Sequence, residues 1–272
     1  MSALLQGRGI VAGYGAVRVI DGVDLDARAG EVHGLIGPNG AGKSTLLRVL
    51  GALLPLRAGN VTVEGRELER IRPRDRAKLV AFLPQDTGID AELSVRSVVA
   101  LGCFVHLSRW EKLRGDLGRA DARAVTDALE RVGVAHLADR LITDLSGGQR
   151  QLVLIAKQLA QQSRILLLDE PVSALDLGYQ LEVLELLREL AGDGHAVVTV
   201  LHDLNLAARS CDQLTVLADG KLRASGSPEQ VLRAPLLDEL YGIRSVVDTD
   251  PQTQAPRVTA LQRRRNNPES AY

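Results

Sequence analysis

The chain has two cysteines in 272 residues, Cys103 and Cys211. Two thiols cannot build a disulfide framework, a composition that fits a reducing compartment. Neither lies in a sequence cluster with metal-ligand spacing, so both read as buried, inert thiols. An excess of charge of either sign is also missing. Lys and Arg together number 33 and Asp and Glu 34, for a net charge of −1. No global field therefore draws the chain to nucleic acid or to an acidic membrane, and no nucleic-acid partner is expected. Long apolar runs are absent too. A membrane span needs about 20 apolar residues, and the longest candidate, Val95 to Leu107, is broken by Arg96, Ser97 and His106. The stretch Met1 to Arg8 shows no basic region followed by an apolar one, so neither a secretory signal peptide nor a transmembrane segment is expected.

What is present is material for a packed core: 45% apolar and 25% charged residues. The length suits one large domain, or one domain with an inserted lobe. Early segments are short β-branched runs punctuated by glycine: Gly9 to Ala12, Val17 to Ile20, and Gly22 to Ala27. The last alternates polar and apolar residues like a half-exposed antiparallel strand. Glu31 to Ile36 and Leu79 to Leu83 read as buried strands, Val61 to Gly65 as another strand, and Ser44 to Gly51 as a helix. From about residue 86 to 160 the pattern is helical, with Leu93 to Val105 and Ala120 to Val132 as candidates. Strand and helix signals then alternate: Ile165 to Leu168, a long amphipathic helix carrying Leu181, Leu184, Leu187 and Leu190, Ala196 to Leu201, Asp203 to Arg209, Leu214 to Leu217, and Lys221 to Ala224. This predicts an α/β core with an antiparallel β portion at the start and a separate helical lobe inserted at 86–160. Beyond Gly226 the chain reads as less regular. Residues 241–272 are set apart as a C-terminal extension, with a disordered tail expected from about 262 that includes the basic triplet Arg263-Arg264-Arg265.

The first chemical signal is Gly37-Pro38-Asn39-Gly40-Ala41-Gly42-Lys43-Ser44, followed by Thr45. Glycines without Cβ atoms let the backbone curl and aim several N–H groups at one point. The loop follows a buried strand and opens a helix, whose N-terminus favours an anion. Lys43 is placed for the β- and γ-phosphates of a nucleotide, and Ser44 for Mg²⁺.

The second signal is Asp169-Glu170 at the end of Ile165-Leu166-Leu167-Leu168. Open α/β sheets bind ligands at the carboxyl ends of their strands. Asp169 would belong to the Mg²⁺ shell, and Glu170 would act on the attacking water as general base or polarising group. The third signal is Leu145-Ser146-Gly147-Gly148-Gln149, ahead of the apolar run Leu152 to Ala156. It is a capped, glycine-rich helix start and again suits an anion. These residues alone do not say whose phosphate it holds.

The chain resembles the ATP-binding subunit of an ABC transporter along nearly its whole length. The resemblance rests on Leu145–Gln149 about twenty residues before the acidic pair. Gln85 after a strand, Ser173-Ala174-Leu175-Asp176 after the acids, and His202 after the next strand strengthen it. It implies a P-loop ATPase core over residues 1–240. It also implies ATP and Mg²⁺ as ligands, and two copies closed head-to-tail so that Ser146, Gly147, Gly148 and Gln149 of one meet the ATP on the other's loop. By the same resemblance Tyr14 stacks on adenine, Gln85 senses Mg²⁺ and water, Asp176 communicates between facing sites, and His202 contacts the γ-phosphate.

Finer features resemble the importer branch for ferric siderophores, haem or cobalamin. They are Leu175-Asp176-Leu177-Gly178-Tyr179-Gln180, His202-Asp203-Leu204-Asn205-Leu206-Ala207-Ala208-Arg209, Tyr241-Gly242-Ile243-Arg244, and Asp250-Pro251. Tyr179 departs from the histidine frequent in that branch. The implied partners are transmembrane permease subunits and, indirectly, a substrate-binding protein, with the chain on the cytoplasmic face of the membrane. The ATPase of another importer, of an exporter, or of a soluble system acting on nucleic acid or ribosomes is the alternative. The last usually carries two cassettes or a long insertion, and neither is found here.

Overall fold

The computed structural model describes residues 3–85, 91–107, 118–173 and 175–263. Ala174, the segment 86–90 at the start of the expected lobe, and the tail beyond Arg263 with Arg264 and Arg265 lie outside the described residues.

The first two elements are the long antiparallel strands β1 (Ala3–Tyr14) and β2 (Val17–Arg28). They absorb the three short runs read near the start: the first break is the turn at Gly15 and Ala16, and the second, at Asp21, falls on the register shift between Ile10 and Val11. β3 (Val32–Ile36) leads through the glycine-rich loop into α1 (Lys43–Leu50). β4 (Ala58–Val63) and β5 (Arg66–Glu67) complete an antiparallel sheet of order β2-β1-β4-β5. Next come α2 (Pro73–Leu79) and β6 (Val80–Leu83), then α3 (Val95–Ala100), which tightens to a 3₁₀ turn over Leu101–Val105. α4 (Arg119–Arg131) and α5 (Gly147–Ala160) follow.

The second half alternates strictly: β7 (Ile165–Leu168), α6 (Leu177–Gly192), β8 (Ala196–Val200), α7 (Leu204–Ser210), then the antiparallel pair β9 (Gln213–Ala218) and β10 (Lys221–Gly226). The main sheet has the order β10-β9-β3-β8-β7-β6, and β9, β3, β8, β7 and β6 run parallel. The segments after β3, β6, β7 and β8 therefore emerge on one edge, which brings Gly37, Gln85, Asp169 and His202 together.

The unbroken aliphatic runs of these strands have a plain cause: helices or sheet cover both faces. Leu166 and Leu168 enter one apolar cluster with Ala81, Leu83 and Val197. Ile165 and Leu167 enter the other with Leu35, Leu46, Leu47 and Val198. Side chains alternate across a strand, so burial on both sides demands apolar residues at every position. The same reasoning modifies the expectation of a separate helical lobe. The run Leu152 to Ala156 in α5 is buried almost all round. One cluster joins Val98, Val125 and Leu129 of the inserted helices to Leu152 and Ile155 and on to the sheet residues Leu166 and Leu168. The insertion shares a core with the sheet through α5.

The stretch beyond Gly226, which reads as less regular in sequence, holds defined elements. It forms α8 (Pro228–Val231), α9 (Ala234–Tyr241) and the hairpin β11 (Ile243–Thr249) to β12 (Pro256–Arg263). Residues 262 and 263, expected in the tail, are the end of β12. The strand signal in β11 is hidden because Ser245 faces inward while Val246 faces solvent. Ser245 is buried because its N–H and hydroxyl both donate to Asp238 Oδ1, at 2.7 and 2.7 Å. Asp250 accepts from the N–H groups of Gln252 and Thr253, at 3.0 and 2.9 Å, and so starts the hairpin turn.

Two side chains of α7 reach the hairpin: Arg209 pairs with Asp250 at 3.8 Å, and Asn205 bonds its backbone. Asn205 Nδ2 donates to the carbonyl of Val258 at 3.2 Å, and the Val258 N–H donates to Asn205 Oδ1 at 2.7 Å. The amide thus copies a strand partner. Each such bond contributes on the order of 1 kcal/mol. Asn205→Ala is expected to speed hydrogen exchange at the Val258 amide about tenfold, the equivalent of roughly 1.4 kcal/mol. Exchange unchanged from the parent would show that the hairpin is held by other contacts.

Candidate functional site

The loop after β3 owes its path to its glycines. Gly37 has φ 143°, and a Cβ there would stand 2.0 Å from the carbonyl oxygen of Leu217. Gly42 precedes α1 with φ 98°, and a Cβ would meet Ile20 Cδ1 at 2.6 Å. The loop therefore lies directly on β9 and β2, in a conformation closed to other residues. Behind it Tyr241 of α9, half-buried, lies against the backbone of Gly37, and burial pushes its phenol upward. That contact links the C-terminal extension to the loop, and no local sequence signal announces it.

A cleft of about 650 Å³ opens in front of the loop. Asn39, Gly40, Ala41, Gly42, Lys43, Ser44 and Thr45 line it, with Tyr14 and Val19 on one side and Gln85, Glu170 and His202 on the other. Val19 is the member that the sequence reading missed; an apolar residue in an N-terminal strand carries no signal of its own. Tyr14 is 44% exposed at the rim, where its hydroxyl accepts from Arg48 Nη1 at 3.0 Å. Lys43 is only 5% exposed. Its Nζ donates to the carbonyls of Gly37 at 2.7 Å and Pro38 at 3.0 Å. Burial lowers its pKa, while Glu170 and Asp169 act the other way.

Behind Ser44 lies Asp169, 1% exposed. Ser44 Oγ donates to Asp169 Oδ1 at 2.8 Å, whereas Asp169 Oδ2 is buried without a hydrogen-bond partner. Burial raises the Asp169 pKa. Ser44's hydrogen bond lowers it, Glu170 raises it, and the Arg48 and Lys43 charges lower it. An unpartnered carboxylate oxygen beside a hydroxyl, both hard oxygen donors, fits a divalent cation of the Mg²⁺ kind.

Glu170 is the node of the site. Gln85 Nε2 donates to its Oε2 at 2.8 Å, and His202 Nε2 lies 2.5 Å from its Oε1. Its backbone φ is 53°, an uncommon value for glutamate and of the kind that clusters at functional sites. Gln85, Glu170 and His202 come from the ends of β6, β7 and β8, three adjacent strands, so the parallel register alone brings them together.

Ser146, Gly147, Gly148 and Gln149 do not line this cleft. They begin α5 in a reciprocal cap: the Gln149 N–H donates to Ser146 Oγ at 3.3 Å, and the Ser146 N–H to Gln149 Oε1 at 3.2 Å. Ser146 and Gly147 are exposed, leaving the start of the helix open to a ligand from outside the chain. Asp176 is also outside the cleft. It caps α6, with Oδ1 accepting from the Tyr179 N–H at 3.1 Å.

The ABC transporter family model matches residues 20–173. The ferric enterobactin transport ATP-binding protein FepC of Escherichia coli K12 is 38% identical over 265 residues, covering 96% of this chain and 95% of that protein. The hemin import ATP-binding protein HmuV of Streptomyces coelicolor is 43% identical, covering 91% of this chain and 86% of its own length. The cobalamin import ATP-binding protein BtuD of Halobacterium salinarum is 42% identical over 90% of this chain, which spans 60% of that longer protein. Among solved structures, a chain of a metal-chelate type ABC transporter in an inward-facing conformation superposes with a TM-score of 0.82 at 27% identity, covering 96% of this chain and 98% of that one. An ATP-binding cassette in its ADP conformation superposes with a TM-score of 0.79 at 26% identity, covering 89% of this chain and 99% of its own. The cleft, the strand order that builds it and the relatives aligned along nearly the whole length agree: this chain belongs to the ABC transporter family of ATP-binding proteins.

Proposed function

We propose that the chain is the ATP-hydrolysing subunit that powers import of a metal chelate, a ferric siderophore, haem or cobalamin, through a partner membrane permease. The observation that carries the reading is the separation of its two anion-binding helix starts. The cleft at α1 holds Lys43, Ser44, Glu170 and His202, and the capped start of α5 lies outside it. Each is half of a site, and a second copy arranged head-to-tail supplies the other half. Relatives that serve ferric enterobactin, hemin and cobalamin support the cargo class. A related cassette solved as a dimer with ADP and Pi, 26% identical, supports the pairing.

In this mechanism Lys43 and the loop N–H groups hold the β- and γ-phosphates of ATP, and Tyr14 packs on the adenine. Mg²⁺, when bound at Asp169 and Ser44 with Gln85 nearby, offsets phosphate charge. Water attacks the γ-phosphorus, Glu170 takes its proton, and the bond to ADP breaks. Gln85 and His202 hold the Glu170 carboxylate in place, and His202 contacts the γ-phosphate. Ser146, Gly147, Gly148 and Gln149 of the second copy bind the same γ-phosphate, so its departure releases the pair, and Asp176 lies between the facing sites. No described helix is long and apolar enough to cross a membrane, and the chain works at the cytoplasmic face, held by the permease.

Affinity capture of the chain from detergent-solubilised membranes is expected to recover a polytopic membrane protein. Recovery of ribosomes or DNA and no such protein would favour the soluble alternative. Uptake of labelled iron or cobalt chelates by cells that do or do not carry the chain identifies the cargo.

A further inference from the structure

Gly148 sits buried in the first turn of α5 with an aromatic ring against it. A Cβ built there would stand 2.4 Å from Cδ2, 2.5 Å from Cγ and 2.8 Å from Cδ1 of Tyr179. Neighbouring Gly147 faces open space. The lack of a side chain at 148 is thus required by a ring that fills the volume where one would go.

Tyr179 is held in place from its own side. It lies in the first turn of α6, where its N–H donates to Asp176 Oδ1 at 3.1 Å. The next residue clasps the loop that follows the catalytic acid: Gln180 Nε2 donates to the carbonyls of Val172 at 3.2 Å and Leu175 at 3.0 Å. Within that loop Ser173 Oγ donates to the Glu170 carbonyl at 3.2 Å. A set of contacts therefore runs from Glu170 through Ser173, Val172 and Leu175 to Gln180 and its neighbour Tyr179, and from the Tyr179 ring to Gly148.

We infer that Tyr179 is a positioning residue that couples the Glu170 loop to the start of α5, setting Ser146 and Gly147 at the angle from which they meet the γ-phosphate on a second copy. The inference rests on the composite-site reading above. The ring carbons Cγ, Cδ1 and Cδ2 make the contact, so a flat ring is what the position needs. Each chain then carries a rigid link between the site it binds and the site it completes.

The test uses ATP-driven pairing in a Glu170→Gln background, followed by analytical ultracentrifugation across an ATP series. ATP binding by the separate chains at low protein concentration is measured in parallel, and reports that each variant is folded. Adding Tyr179→Ala is expected to raise the ATP concentration for half-maximal pairing about tenfold, the scale of an ordinary coupling between sites. Tyr179→Leu, which keeps bulk but not a flat ring, should shift it in the same direction by less. Tyr179→Phe should pair like the background chain. ATP affinity of the separate chains should be unchanged, because their own loop sets it. Pairing of the Ala and Leu variants at the background's ATP concentration would overturn the inference alone. A background chain that stays single at saturating ATP would overturn the composite-site reading and the inference with it.

Discussion

Glu170→Gln is expected to lower ATP turnover by about 10²–10⁴-fold, the range for removal of a positioned general base. The substitution keeps the size of the side chain between Gln85 Nε2 at 2.8 Å and His202 Nε2 at 2.5 Å, replaces one acceptor oxygen by an amide NH2, and removes the capacity to take a proton. Nucleotide affinity should be unchanged, because the loop around Lys43 and Ser44 is untouched. ATP should then stay uncleaved at the shared interface, and gel filtration with ATP should show a stable pair. Turnover within a few-fold of the parent would remove Glu170 from the chemical step. His202→Ala is expected to act in the same direction through the same carboxylate, which would be left with Gln85 as its remaining partner among these two.

Ser146→Arg is expected to lower turnover at least about a hundredfold with ATP binding by the separate chain intact. Two physical effects add. Arginine removes the hydroxyl that accepts the Gln149 N–H at 3.3 Å, at a cost of about 0.5–2 kcal/mol for a lost cap. It also sets a bulky cation at the positive end of the helix dipole, where the second copy's phosphate must approach. Ser146→Ala isolates the first effect: its thermal stability should fall much as in the Arg variant, while more of its turnover survives. Full turnover in Ser146→Arg, measured at protein concentrations where the parent pairs, would mean that α5 does not complete a second copy's site.

The phosphate loop was legible because everything that defines it is local. A buried strand, glycines that let the backbone take positive φ, and the start of a helix lie within twenty residues. The acids at 169 and 170 were legible for the same reason, since four aliphatics in a row require a strand covered on both faces. The C-terminal extension was not legible. In β11 an inward Ser245 is stabilised by Asp238 and an outward Val246 breaks the alternation, so a polar residue faces in and an apolar one out. The boundary of the inserted helices was blurred for a related reason: α5 is apolar nearly all round, and only the packed molecule shows that one side faces α3 and α4 and the other the sheet.

By itself the sequence determined the residue types that could bind a nucleotide and their local frames: the loop at 37–45, the acids at 169 and 170, and the capped start of α5. The tertiary structure decided what those frames face. The parallel order β3-β8-β7-β6 gathers Gln85, Glu170 and His202 into one cleft with the loop, and leaves Ser146 outside it. Only the fold puts the Tyr179 ring on Gly148, Asn205 on Val258 and Tyr241 on Gly37. The reason is the range of the interactions: dihedral preferences, caps and alternation act over a few residues and are written in their immediate neighbours. Contacts between residues 30 to 200 positions apart depend on strand order and packing, which the whole chain sets at once.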